Sequence, residues 1–107
     1  MKIDLAKKET IHFIGIGGIG MSGLSLIMKA KGFKVQGSDI AINKNIEKLK
    51  KQNIKIFLGH TKQNIKDVTI VVVSSAIKKN NPELIEARRK KLPIIKRGKM
   101  LANLVSL

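Results

Sequence analysis

Short apolar stretches rich in β-branched residues alternate along this chain with segments that have helical spacing. Two of these stretches, "IHFIGI" at 11–16 and "VTIVVVSS" at 68–75, are almost unbroken apolar runs. Runs of this kind are typical of strands buried on both faces of a parallel sheet. We predict three further strands, at 34–39, 54–59 and 93–96.

The segments between the strands predict helices at 18–32, 43–53, 80–91 and 98–107. Gly32 and Asn53 are expected to end the first two helices. The third helix has the clearest start, with Asn81 as the N-cap, Pro82 in the first turn and Glu83 directly behind it.

Five strands that alternate with helices predict one α/β domain over residues 1–107. The expected fold is Rossmann-like and doubly wound, with a five-stranded parallel sheet in the order 3-2-1-4-5 and helices on both faces. Because the last helix begins so close to Leu107, we expect the chain to be a domain excised from a longer protein.

The chain is strongly basic, with 22 Lys and Arg residues against 7 Asp and Glu residues and a net charge of +15. The basic residues are mostly lysines scattered over the sequence, and there is no Trp or Tyr to stack on bases. Nucleic-acid binding is therefore not the favoured interpretation. A positive field of this size still attracts a polyanionic ligand.

Other features of the composition narrow the class of protein. There is no cysteine, which excludes disulfides and thiolate metal sites. No apolar run is long enough to span a membrane, and "MKIDLAKKET" at the start has no apolar region typical of a secretory signal. We expect a cytoplasmic protein without membrane contact.

The junction between the first strand and the first helix is rich in glycine. Gly15, Gly17 and Gly20 form G-x-G-x-x-G at the position where dinucleotide-binding domains carry it. In that motif the first glycine allows a tight turn, the second lets backbone amides approach a diphosphate, and the third allows close packing. Gly18 adds a further glycine, and Ser22 offers a hydroxyl in the first helical turn. A tight turn without a ligand is the alternative.

Asp39 ends the second strand, 19 residues after Gly20. An acidic residue at about this distance accepts hydrogen bonds from ribose hydroxyls in nucleotide-binding units, and it disfavours a 2′-phosphate. An ordinary turn aspartate is the alternative interpretation.

The carboxyl ends of the other strands bring further polar residues to the same edge of the sheet. Ser74, Ser75 and Ala76 end the fourth strand, His60 follows the third, and Arg97 follows the fifth. Ligands of open α/β sheets bind at this edge. A solvated loop histidine is the alternative for His60.

His12 lies near the start of the first strand, so we interpret it as structural. The sequence shows no carboxylate pair, metal-ligand cluster or nucleophile–base pair. It therefore predicts a binding domain with no catalytic residue and no metal site of its own.

Several segments, in order, resemble the N-terminal domain of the Mur ligases: "HFIGIGGIGMSGL", "GSD", "GH", "VVVSSAI", "NPEL" and "P…R…ML". The "GIGGIGMSG" and "SSAI" segments are most similar to the family member that adds L-alanine. The resemblance implies a three-domain enzyme of peptidoglycan synthesis whose N-terminal domain binds UDP-N-acetylmuramate. ATP and Mg²⁺ would bind in a central domain, and a C-terminal domain would position the amino acid.

The resemblance also implies roles for individual residues. The diphosphate would contact Gly15, Gly17, Gly18, Ile19, Gly20 and Ser22; the uridine would contact Ser38 and Asp39; and His60, Ser74, Ser75, Ala76 and Arg97 would line the crevice. Where the family often has Ala-Glu after the arginine, this chain has Gly98 and Lys99. The chain has no G-x-x-x-x-G-K-[ST], so this domain is expected to bind no cofactor itself.

Two alternatives remain open at this stage. One is an NAD-binding Rossmann domain of a dehydrogenase or regulatory protein, which the glycine motif and Asp39 both permit. The other is a basic module that binds nucleic acid.

Overall fold

The computed structural model describes residues 8–105. It contains five strands, four α-helices and a 3₁₀ helix at Lys62–Ile65. The strands are β1 (Thr10–Ile14), β2 (Lys34–Asp39), β3 (Lys55–Leu58), β4 (Ile70–Val73) and β5 (Ile94–Lys96). The helices are α1 (Ile19–Ala30), α2 (Lys44–Lys51), α3 (Pro82–Arg89) and α4 (Arg97–Val105).

All neighbouring strands pair in parallel, in the order β3-β2-β1-β4-β5. The predicted fold class and strand order are therefore confirmed. β1 lies at the centre, and the strand order reverses between β1 and β4, which is where doubly wound sheets form a crevice.

Successive side chains of each strand point to opposite faces of the sheet. Helices cover both faces, so the described residues form two apolar clusters. On one face, β1 and β4 residues such as Phe13 and Val72 pack with α1, α2 and Met100 of α4. On the other, Val71 packs with α3 and with Ile65 of the 3₁₀ helix.

The helix starts follow from local chemistry. Asn43 caps α2 by accepting from the Ile46 amide at 2.9 Å, and Asn81 caps α3 by accepting from the Glu83 amide at 2.9 Å. Within residues 8–105, no helix is both long and apolar enough to cross a bilayer.

The structure differs from the sequence prediction at several boundaries. β4 is four residues long, shorter than the predicted 68–75, because its last polar residues form a turn in which Ser74 accepts from Ala76. The 3₁₀ helix was not predicted, since "KQNI" is too short to show helical spacing. α4 begins at Arg97. Residues 106–107 of the predicted last helix, and most of the N-terminal segment, lie outside the described residues.

Candidate nucleotide-binding site

The glycine loop leaves β1 through a turn that only glycine adopts easily. Gly15 has φ +81°, in the left-handed region. The amides of Gly15 and Ile16 both donate to the Ser38 carbonyl, at 2.8 and 3.0 Å. Gly18 then forms the N-cap of α1, with its own amide bonded to the Gly15 carbonyl. The inner part of the loop is therefore held by the protein's own backbone.

Gly17 lies on the inner side of this loop and is buried. Its amide donates to Asp39 Oδ2 at 2.8 Å, and a Cβ at this position would lie 2.7 Å from that oxygen. The carbonyl of Gly17 accepts from Asn43 and Asn45 at 3.2 and 3.0 Å. The approach of Asp39 is therefore a second reason for a glycine here, besides the approach of a diphosphate that the motif predicts.

The outer part of the loop is open. Gly18, Ile19 and Gly20 are exposed. No side chain caps α1, its first turn contains no acidic residue, and the amides of Ile19, Gly20 and Met21 have no partner within residues 8–105. Such a helix start carries partial positive charge and three N–H groups, which favours an anion.

Arg97 reaches this helix start from α4. A Cβ on Gly20 would lie 2.9 Å from the Arg97 Cδ and Nε atoms and 3.0 Å from Cζ. The absence of a side chain at the third glycine of the motif therefore makes room for a guanidinium. Among residues 8–105 this guanidinium has no hydrogen bond or ion pair. Its charge adds to that of the helix start.

Asp39 connects the loop to the next strand. Its Oδ2 accepts from Gly17, and its Oδ1 accepts from the Ile40 amide at 2.7 Å. The residue is half-buried, and each oxygen keeps a second lone pair. The carboxylate can therefore hold the loop and still accept a hydrogen bond from a ligand hydroxyl.

A second group of predicted residues lies at the ends of β4 and β5. Ser74, Ser75 and Arg97 border a depression of about 310 Å³, together with Lys96, Gly98 and Lys99. Ala76 is exposed in the adjoining turn. Three cations around two hydroxyls make this side of the crevice suited to an anionic group.

Two of the serines predicted to contact a ligand are buried. Ser22 is 7% exposed, and its hydroxyl donates to the Ile19 carbonyl at 3.1 Å. Ser38 is completely buried, with its hydroxyl bonded to Glu83 and His60. In this structure neither hydroxyl is presented to a ligand, because burial and internal hydrogen bonds occupy both.

Glu83 is the main functional-site candidate that sequence reasoning missed. It is completely buried, and Oε1 lies 2.7 Å from His12 Nε2 and 2.6 Å from Ser38 Oγ. Oε2 accepts from the Thr61 amide at 3.1 Å and from Asn64 Nδ2 at 2.7 Å. The carboxylate thus joins β1, β2, the segment after β3 and α3. His12, predicted to be structural, is completely buried in this network, which confirms that interpretation.

The surroundings of Glu83 decide its charge. Burial alone raises the pKa of a carboxyl group, but hydrogen bonds from His12, Ser38 and Asn64 and the electrostatic effect of His12 outweigh it. The pKa of Glu83 is therefore lowered, and the group is an ionised acceptor near neutral pH.

His60 lies at the outer end of the network. Its Nδ1 is 2.8 Å from Ser38 Oγ and 3.7 Å from Glu83 Oε2. The imidazole is partly exposed and borders a depression of about 450 Å³ that Pro82 and Ile85 also line. The structure thus brings His60 and Ser38 together but does not bring either next to Arg97.

Comparisons with known proteins show which family has this arrangement. The sequence pattern described as "Mur ligase family, catalytic domain" matches residues 10–107. The chain belongs to the Mur ligase family. A relative from Pelagibacter ubique, named UDP-N-acetylmuramate–L-alanine ligase, is 73% identical over 107 residues, which are 100% of this chain and 23% of that protein. A protein of the same name from Rickettsia typhi is 60% identical over 98 residues, 92% of this chain and 20% of that protein.

Solved structures of Mur ligases have the same fold. The UDP-N-acetylmuramate–alanine ligase of Thermotoga maritima superposes with a TM-score of 0.87 at 36% identity, over 91% of this chain and 23% of that one. The UDP-N-acetylmuramate:L-alanyl-γ-D-glutamyl-meso-diaminopimelate ligase of Neisseria meningitidis gives a TM-score of 0.81 at 27% identity, over 88% of this chain and 30% of that one. This Mur ligase chain spans about a quarter of the length of the relatives it matches.

Proposed function

We propose that this chain is the UDP-N-acetylmuramate-binding domain of an ATP-dependent ligase that joins L-alanine to UDP-N-acetylmuramate in peptidoglycan synthesis. The observation that carries the proposal is the exposed start of α1, where three amides lie beside the guanidinium of Arg97 and neither the amides nor the guanidinium has a partner among residues 8–105. Helix amides and a guanidinium are the donors that bind a diphosphate. The names of the similar proteins supply the identity of the sugar nucleotide.

The predicted site residues take the following roles in this proposal. The diphosphate lies against Gly18, Ile19 and Gly20 and is neutralised by Arg97, while Gly15 and Gly17 shape the loop and Ser22 supports its helix. Asp39 accepts from the ribose. His60 lies on the nucleoside side, oriented by Ser38, and Ser74, Ser75 and Ala76 line the opposite side.

The remaining partners lie outside this chain. We propose that central ATP-binding and C-terminal domains of the same protein complete the enzyme, in the cytoplasm. The described residues hold no cluster of three metal-binding side chains, and the sequence has no phosphate-binding loop of the ATPase type. The residues of this chain therefore do not fit ATP and Mg²⁺, and no phosphoryl-transfer step is assigned to them. The proposed domain binds the nucleotide and is inactive by itself.

The proposal is tested by calorimetric titration of the chain with UDP-N-acetylmuramate, NAD and a short DNA duplex at two salt concentrations. We expect weak binding of the UDP-sugar, with Kd roughly 0.1–1 mM, because one domain supplies only part of a closed site. Tighter binding of NAD would contradict the proposal and favour a dehydrogenase domain. Binding of the duplex that weakens steeply with salt would favour a nucleic-acid module.

A further inference from the structure

The buried carboxylate of Glu83 determines which neighbouring groups donate and which accept. An ionised carboxylate only accepts hydrogen bonds. Ser38 Oγ, 2.6 Å from Oε1, must therefore use its only proton toward Glu83. The same Oγ lies 2.8 Å from His60 Nδ1 and can only accept there. His60 consequently carries a proton on Nδ1.

A neutral imidazole with its proton on Nδ1 has an unprotonated Nε2 that accepts. Nε2 of His60 has no hydrogen-bond partner within residues 8–105. In that same span, no buried side-chain nitrogen or oxygen atom lacks a partner, so this Nε2 is open to solvent. The ring therefore offers an acceptor at the surface.

His12 provides an internal comparison, because its hydrogen bonds require the opposite tautomer. Gln36 Nε2 lies 2.8 Å from the Asn64 carbonyl, which fixes the amide nitrogen at that place. The same nitrogen is 2.8 Å from His12 Nδ1, so Nδ1 must accept. The proton of His12 is then on Nε2, which donates to Glu83 at 2.7 Å. One carboxylate thus fixes two histidines in opposite tautomers.

We propose that Glu83, acting through Ser38, is a positioning residue that keeps His60 in the Nδ1–H tautomer, so that Nε2 accepts a hydrogen bond from the bound nucleotide. This inference rests on the proposed function. The diphosphate corner follows β1 and Asp39 ends β2, so the outer part of the nucleoside lies toward the end of β3, where His60 is. The matching groups of a uridine nucleotide are the imide N–H of uracil and the ribose hydroxyls.

The tautomers are measurable in the unmodified chain by long-range ¹H–¹⁵N NMR, and they are easy to assign because the chain contains two histidines. At a pH where both rings are neutral, we expect one ring with its proton on Nε2 (His12) and one with its proton on Nδ1 (His60). Free histidine favours Nε2–H, so two Nε2–H rings would overturn the proposal.

Variants separate the role of Glu83 from general folding. In Glu83→Gln, the Thr61 amide keeps the carbonyl oxygen at the place of Oε2, so the NH2 group takes the place of Oε1 and faces both Ser38 and His12. The Ser38 hydroxyl can then donate to His60, so we expect His60 to change to Nε2–H and His12 to give up its Nε2 proton. Glu47→Gln, on the exposed side of α2, is the control and leaves both rings unchanged. An unchanged His60 in a folded Glu83→Gln protein would contradict the proposal.

Should Glu83→Gln fail to fold, Ser38→Ala tests the same hydrogen-bond chain. It leaves Nδ1 of His60 with a carboxylate oxygen 3.7 Å away, so we expect a loss of the Nδ1–H population. Ser25→Ala, another completely buried serine that bonds only a helix carbonyl, is the matched control. A Nδ1–H population equal to that of the parent would show that Glu83 does not act on His60 through Ser38, and it would contradict the proposal.

Nucleotide titrations then identify the donor group. UDP should shift the His60 Nε2 resonance, and His60→Phe should weaken UDP binding roughly two- to tenfold, as expected for one hydrogen bond. 3-Methyl-UDP removes the imide N–H, and 2′-deoxy-UDP removes one hydroxyl; the analogue that abolishes the shift identifies the donor. Shifts at Gly18 and Gly20 without any at His60 would refute this inference and leave the proposed function standing. If UDP shifts neither the loop resonances nor those of His60, the proposed function is refuted. The two tautomers are still tested by the NMR measurement on the chain without nucleotide.

Discussion

The two sides of the crevice are built in contrasting ways. On the β2–β3 side, short hydrogen bonds link Ser38 to His60 and to the buried Glu83, and Asp39 accepts from the Gly17 amide. On the β4–β5 side, Arg97 has no polar partner among the described residues, and Ser75 and Lys99 are exposed. The first side is preorganised before any ligand arrives, whereas the second leaves its charges for an anion to neutralise.

This contrast predicts that substitutions on the first side change stability and that substitutions on the second change affinity. The largest expected effect is that of Glu83→Ala. Removing the carboxylate leaves the donors of His12 and Ser38 buried without this acceptor and takes one of two acceptors from the half-buried Asn64, so we expect a loss of about 3 kcal/mol in the free energy of unfolding. Urea denaturation followed by circular dichroism measures it.

Glu47→Ala is the control for that experiment, since Glu47 is exposed and makes only a 4.0 Å ion pair with Lys50. Its effect should stay within about 0.5 kcal/mol. Equal losses in the two variants would show that the buried network does not stabilise the fold.

Arg97→Ala should show the opposite behaviour. The guanidinium is unpaired among the described residues, so stability should change by less than about 0.5 kcal/mol. Binding of UDP-N-acetylmuramate should weaken about 10- to 100-fold, the cost of losing a charge-assisted hydrogen bond. Arg89→Ala, at an exposed pair with Glu86 on α3, is the control in calorimetry. Unchanged affinity in Arg97→Ala would place the diphosphate elsewhere.

The glycine loop contains the same contrast within a few residues. A Cβ at Gly17 would lie 2.7 Å from Asp39 Oδ2 and 3.1 Å from Ile46, whereas at Gly18 the nearest atom would be 3.5 Å away. Gly17→Ala should therefore cost roughly 1–3 kcal/mol of stability, and Gly18→Ala less than about 1 kcal/mol. Thermal or urea unfolding of both variants tests this difference. Equal costs would show that the approach of Asp39 is not a packing constraint.

The last prediction concerns the pH dependence of stability that Glu83 causes, which has no effect near neutral pH because the carboxylate is ionised there. The pKa of Glu83 is lowered in the folded protein, so its contribution is present above the ordinary value of 4.5 and is lost as the pH falls through the folded pKa. The free energy of unfolding should decline with acid below about pH 4.5 more steeply in the parent than in Glu83→Gln. Parallel pH profiles in the two proteins would contradict this assignment.

Much of the fold could be predicted from the sequence because it depends on local patterns. The unbroken run around Val71 gave a buried strand, and the Asn81–Pro82 pair gave a helix start, both of which the structure confirms. The strand order followed from the alternation of strands and helices. Strand ends were less predictable, since apolar residues such as Ile16 and Val68 lie outside the paired segments and β4 ends in a turn at Ser74.

The site was only partly predictable for a different reason. The glycine motif, Asp39 and Arg97 have characteristic places in the sequence, but the contact between Arg97 and Gly20 depends on where α4 packs. Glu83 was interpreted as an ordinary acidic residue of a helix start, which local spacing supports. Its partner His12 is 71 residues away in sequence, and no local pattern indicates that the two meet.

The position of Glu83 also has a consequence for how the chain is synthesised. Translation produces β1, β2 and β3 before it reaches residue 83, so His12, Ser38 and Asn64 are synthesised before their acceptor. Until then, water must satisfy these side chains, and closing the sheet over them is unfavourable. The first half of this domain can therefore complete its packing only after α3 has been synthesised, so the sheet and α3 are expected to fold as one unit.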